Sequence, residues 1–218
     1  MAIPAGMSAE KIIEDYINAI GGKAKVATLK DLQITSTMNM GGAQLNLNSW
    51  QKGGKIVTKM TMNGQVVNSR IYDGTKANES GMGGSRELTG EELNDLKEQA
   101  ALCKELTYLT NGYKIALNGV EDVNGSKTYV IKVLRADGKQ STEYYDMKTS
   151  LKVREISMVP GQSGQPVSMT TDFSDYKEAN GVLFPHTITL SGIFPIPVKA
   201  VVSEIKVNAG IDDAMFKL

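Results

Sequence analysis

From residue 31 onward the apolar residues of this chain recur at every second position, and the runs are separated by glycine-bearing turns. Leu32, Ile34, Ser36, Met38 and Met40 point one way and Gln33, Thr35, Thr37 and Asn39 the other, the pattern of a strand with one face in water. Gly41-Gly42, Gly53-Gly54 and Asn63-Gly64 then divide residues 31–72 into four strands, with the next three at 43–51, 55–62 and 65–72. Asp73-Gly74 permits a fifth at 76–79. A second block of seven follows at 112–120, 128–135, 140–145, 151–158, 167–173, 182–191 and 198–207, with turns at Asn124-Gly125, Asp137-Gly138, 148–150, 160–164 and Asn180-Gly181. Hairpin-length connections impose antiparallel pairing, because parallel strands need crossovers of a dozen residues or more.

Two helices break the strand pattern. Ser8 caps the first, where Ile12, Ile13, Tyr16, Ile17 and Ile20 recur at helical spacing before Gly21-Gly22 stops it, and a short helical turn follows at 23–29. Thr89 and Glu92 form a capping box for the second, with Leu88 and Leu93 at the staple positions and an apolar stripe of Leu93, Leu96, Ala100 and Cys103, predicting a helix to about residue 106. The glycine-rich 81–85 segment before it reads as a loop. A sheet of so many strands must curl, and its one apolar face needs cover. The expected fold class is therefore α+β: a single curved antiparallel sheet of about eleven strands forming a half-open barrel, with helices against its concave face. With no Pro-rich or Ser-rich linker, residues 8–218 are expected to form one domain after a disordered or cloning-derived start at 1–7.

Lys plus Arg equals Asp plus Glu at 24 each, so no net field attracts nucleic acid or an anionic surface. Trp50 with Tyr144, Tyr145 and Tyr176 therefore does not make a base-stacking platform. No run reaches the roughly 20 apolar residues of a membrane-spanning helix. The start lacks the basic and apolar regions of a signal peptide, and reads as a cytosolic beginning or as a domain cut from a longer chain. Cys103 has no partner for an internal disulfide and is expected to be buried and inert.

Catalytic chemistry finds little footing. His186 is the one histidine, so no histidine metal cluster or serine triad can be assembled beyond it, and it reads as a partly buried strand residue with one hydrogen bond. The 161–164 segment lacks the nucleophile-elbow pattern, and the segment Gly81–Arg86 lacks the lysine and the β-α-β context of a phosphate loop. The acidic pairs Glu121-Asp122, Asp172 with Asp175, and Asp212-Asp213 fit turns and caps. Two features fit binding instead. Methionine adapts to irregular apolar ligands, and Met38, Met40, Met60 and Met62 stand in strands near Trp50. Ile193, Phe194 and Ile196 form an apolar hairpin tip, where exposed polar residues are usual. These eight residues are the candidate ligand contacts, with no catalytic residue, metal or cofactor.

Over residues 8 to 218 the pattern resembles the LolA/LolB-type superfamily of periplasmic lipoprotein carriers. Narrower cues look like a group of such domains in Bacteroidetes-type secreted proteins: Tyr16-Ile-Asn-Ala-Ile-Gly-Gly22, Gly119-Val-Glu-Asp-Val-Asn-Gly125, Tyr144-Tyr-Asp146, Asp175-Tyr-Lys-Glu-Ala-Asn-Gly-Val-Leu-Phe-Pro185, and the close from Val207-Asn208 to Phe216. The resemblance implies an incomplete antiparallel barrel around an apolar cavity with a helical lid. It also implies a non-catalytic domain of the periplasm or cell envelope that binds a lipid or lipoprotein acyl chain. Some similar domains follow the peptidase repeats of insulinase-type zinc proteases, so the alternative is an accessory C-terminal domain whose partners are protease domains of the same polypeptide.

Overall fold

A computed structural model describes residues 3–108, 110–161 and 165–218. Its hydrogen-bonded strands follow the order β6-β5-β4-β3-β2-β1-β13-β12-β11-β10-β9-β8-β7, one open antiparallel sheet of 13 strands with β6 and β7 at its ends. The chain groups into two compact units, Met1–Val26 with Glu105–Lys199 and Ala27–Lys104 with Ala200–Leu218, here called units 1 and 2.

Unit 2 holds β1 (Asp31–Met40), β2 (Ala43–Lys52), β3 (Lys55–Met62), β4 (Gln65–Tyr72), β5 (Ala77–Gly81), β6 (Gly84–Leu88), the helix α3 (Gly90–Gln99) and most of β13 (Val198–Val207). The expected count of about eleven strands is thus too low. One strand it missed is β6, hidden because Gly81, Gly83 and Gly84 read as a loop, although Gly81 pairs with Gly84 and Ala77 with Leu88 in a tight hairpin. Leu96 and Ala100 at the end of α3 bury against Ile56, Tyr72, Ala77 and Leu88. That fixes which sheet face the helix covers.

The α3 boundaries differ from expectation at both ends. Thr89 makes no side-chain cap, and the Glu92 carboxylate that would complete the other half of the box accepts two 2.7 Å hydrogen bonds from Arg86. The helix also stops at Gln99 rather than near residue 106, leaving Cys103 half-buried and outside the stripe.

Unit 1 holds α1 (Ala9–Ala19), α2 (Lys23–Val26), β7 (Lys114–Val123), β8 (Ser126–Leu134), β9 (Gln140–Asp146), β10 (Lys152–Pro160), β11 (Pro166–Ala179) and β12 (Val182–Ser191). The Ser8 side chain accepts from the Lys11 amide at 3.2 Å, and Ile12, Ile13, Tyr16 and Ile17 are buried, as the spacing requires. The stop at Gly21 is a close approach of two backbones. A Cβ there would lie 2.3 Å from the Gly181 carbonyl oxygen, at a φ of +132°, while the Leu183 amide donates to Ile20 at 2.8 Å. The end of α1 is therefore tied to the turn between β11 and β12. β11 runs on to Ala179, well past the expected end at 173; Asp175 sits at φ 55°, and the register with β12 is the same on both sides of it.

Candidate functional site

In unit 2 the register assembles an apolar surface. Met38 stands opposite Leu45, which stands opposite Met62; in the next row Ser36, Leu47 and Met60 align, and Met40 faces Ala43. Directly opposed residues share a face, so these side chains form one surface, and Ile56 places it on the face that carries α3. Met38 and Leu45 are 8% and 4% exposed, Leu47, Met60 and Met62 are half-buried, and Met40 opens to solvent. Toward β6 the same face turns polar. Glu79 accepts hydrogen bonds from Asn68 (3.0 Å), Arg70 (2.7 Å) and Arg86 (2.7 and 3.0 Å). Burial alone would raise its pKa, yet the bonds from Asn68 and the two guanidinium groups outweigh it and lower the pKa to about 2. The surface thus has an apolar end and a fixed charged end.

Trp50 does not join this surface. It pairs with Gln33 and Val57 on the opposite face, where Val57, Ile71, Ile211 and Phe216 pack with it and Lys59 Nζ lies 5.8 Å from its ring. Ile193, Phe194 and Ile196 belong to unit 1, in a bend rather than a strand tip. Phe194 and Ile193 are half-buried and Ile196 is 67% exposed.

Unit 1 conceals a polar network that no sequence motif announced. Lys152 Nζ donates to Glu105 at 2.6 Å and lies 3.4 Å from Glu155 and 3.5 Å from Glu143. Both Glu143 oxygens are engaged, by the Tyr108 hydroxyl at 2.6 Å and the Tyr145 hydroxyl at 2.5 Å. Burial opposes the Lys152 charge, but Glu105, Glu143 and Glu155 hold its pKa well above the ordinary lysine value. Burial, then Glu143, drives the Tyr108 and Tyr145 pKa values up, so both phenols remain donors. The Tyr16 ring on α1 meets Tyr145 edge-on at 5.4 Å, so the network lies under that helix. A signal existed in Glu143-Tyr144-Tyr145, where alternation puts Glu143 and Tyr145 on one face, but one strand gives no sign of which face is buried. A cavity of about 490 Å³ lies beside α1, lined by Glu10, Lys11, Ile13, Ile17, Lys23 and Glu105 among others.

No protein-family model and no curated protein matches the sequence. Solved structures do. A LolA superfamily protein from Nitrosomonas europaea superposes with a TM-score of 0.64 at 12% identity, covering 98% of this chain and 99% of that one. The LolA fold is the fold of this chain. A protein described as a putative outer membrane lipoprotein-sorting protein domain, from Vibrio parahaemolyticus, gives a TM-score of 0.63 at 13% identity over 96% of this chain and 97% of its own. A DUF1329 family protein from Desulfovibrio piger gives 0.61 at 14% identity over 96% and 97%.

Within this LolA fold the residues weighed for catalysis take structural roles. His186 is half-buried, and its Nδ1 donates to the Phe184 carbonyl at 3.0 Å, as a strand histidine would. Asp172 pairs with Arg154 (2.6 Å), Asp175 with Lys177 (2.8 Å), Asp213 with Lys52 and Lys55 (3.1 and 3.3 Å), and Asp212 caps the final turn. The 161–164 segment, read as lacking a nucleophile elbow, falls largely outside the described residues. Among the described residues no group of three or more His, Cys, Asp or Glu is arranged to hold a metal. Among the described residues no helix is long and apolar enough to cross a membrane.

Proposed function

We propose that this chain is a non-catalytic carrier-type domain of the periplasm or cell envelope, holding a lipid or lipoprotein acyl chain on the α3-bearing face of β1–β3. Residues 8–218 would act together as one half-barrel domain. The observation that carries the reading is the pair of rows Met38–Leu45–Met62 and Ser36–Leu47–Met60 on the face that α3 buries farther along. Methionine side chains repack around irregular hydrocarbon at small cost. Each buried acyl methylene contributes about 0.8 kcal/mol, so a chain tail binds usefully without any polar motif. The LolA fold supports the same reading, since one solved neighbour is itself described as a lipoprotein-sorting domain. No observation favours the accessory protease domain.

Native mass spectrometry of the purified protein, together with displacement of a fluorescent fatty acid, tests the proposal. Bound lipid or saturable displacement is expected. Neither signal at any accessible concentration would end the reading.

A further inference from the structure

Met40 and Met62 are the last residues of β1 and β3, so both stand where the methionine surface of unit 2 runs out into the turns Gly41-Gly42 and Asn63-Gly64. The register puts Met40 opposite Ala43 and Met62 opposite Leu45, which in turn faces Met38. Met40 is 37% exposed and Met62 half-buried, whereas Met38, deeper on the same face, is 8% exposed. A small reagent in water therefore reaches Met40 and Met62 before Met38.

A thioether reacts readily with a peroxide. The sulfur lone pair attacks one peroxide oxygen, an S–O bond forms, the O–O bond breaks, and the proton of the transferred oxygen leaves with the other oxygen as water. Sulfur gives up two electrons and the peroxide takes them, so methionine and hydrogen peroxide yield methionine sulfoxide and water. The product is polar and accepts hydrogen bonds. Along the face, Met40 and Met62 meet Ala43, Leu45 and Met38, none with a side-chain donor, and Ser36 in the next row donates to the Leu47 carbonyl at 3.5 Å. Gln65, which pairs with Met62 on its other side, is exposed and would hold a sulfoxide oxygen in water. Beneath hydrocarbon such an oxygen has no partner, and an unpaired polar group there is costly.

We propose that Met40 and Met62 form an oxidant-responsive modification site that lowers the hold of this face on its hydrocarbon. The inference rests on the carrier reading and adds a regulation to that site. Thioethers repack around an acyl chain, whereas sulfoxides at the open end draw water onto the surface and the chain is released. Reduction by two thiols returns the thioether, with a disulfide and water as products, so the change is reversible. Three other methionines carry the same chemistry off this surface: Met82, 89% exposed in the turn between β5 and β6, Met158, 47% exposed on β10 of unit 1, and Met215, 37% exposed in the closing turn. Their oxidation should be silent.

Stepwise treatment of the full chain with hydrogen peroxide tests it, with residue-level peptide mass spectrometry and a fluorescent fatty-acid titration at each step. Sulfoxide at Met82, Met158 and Met215 should leave affinity unchanged. Conversion of Met40 and Met62 should lower it about tenfold or more, with the urea midpoint retained. Methionine sulfoxide reductases of both epimer specificities, with dithiothreitol, should restore it. The Met40→Leu/Met62→Leu variant conserves volume, so it should bind like the parent before treatment and keep its affinity afterwards. The proposal is overturned by unchanged affinity with both sulfoxides in place, by a loss that tracks Met82, Met158 or Met215, or by a loss that accompanies unfolding. A loss that persists in the double variant also overturns it and assigns the effect to another group, such as the half-buried Cys103. Absence of fatty-acid binding by the untreated parent would end the carrier reading and this inference with it, and is seen before any oxidant is added.

Discussion

Lys152 and Glu105 meet at 2.6 Å with both side chains only 6% exposed, which ties the 3-10 turn Lys104–Thr107 to the first residue of β10. Removing one partner of a buried ion pair leaves the other charge uncompensated, at a cost of about 3–5 kcal/mol. Lys152→Met should destabilise by that amount in urea denaturation, since it strands Glu143 as well as Glu105. The double variant with Glu105→Gln should recover part of the loss. A Lys152→Met protein as stable as the parent would show that the network contributes nothing.

Gly21 is held by a backbone approach that no side chain permits. Gly21→Ala must move the Gly181 carbonyl and also adopt a φ of +132°, so a loss of about 2–3 kcal/mol is expected, measured by thermal or urea unfolding. Gly22→Ala meets no neighbouring atom within 4 Å at φ +85° and should cost less.

The Glu79 carboxylate gives the fold an acid-sensitive element. Its pKa falls from 4.5 to about 2 on folding, so its contribution is complete above pH 4.5 and is lost as the pH falls through about 2. Glu79→Gln should cost on the order of 1 kcal/mol near neutrality, a modest figure because Arg70 and Arg86 are 44% and 52% exposed. In melting curves taken from pH 7 to pH 2, the gap between parent and variant should close below pH 4.5. A gap independent of pH would contradict the assignment.

Most strands were legible in the sequence because alternation and Asn-Gly or Gly-Gly turns are local signals, and these placed β1–β4 and β7–β13 with their hairpins. β6 was hidden, since strand 84–88 shows glycine where alternation needs side chains and is recognisable only through its pairing with β5. Pairing also decided the site. Met38, Met60 and Met62 were legible as a group because they occupy equivalent positions in their strands, whereas Trp50, out of phase with Leu45 and Leu47 in the same strand, faces the other way among Val57 and Phe216. Glu105, Glu143 and Lys152 come from three separate segments, and ion pairs between distant segments leave no periodicity to read.

The central claim is that a hydrocarbon chain lies on the methionine face of unit 2. Photocrosslinking with a fatty acid bearing a diazirine on its tail, followed by residue-level mass spectrometry, tests it most directly. The account predicts adducts at every second residue of β2 and β3, at Leu45, Leu47, Met60 and Met62, with Asn46, Asn48 and Lys59 unlabelled. Labelling of Asn46, Asn48 or Lys59 in their place, or no labelling that competes with unmodified fatty acid, would contradict it.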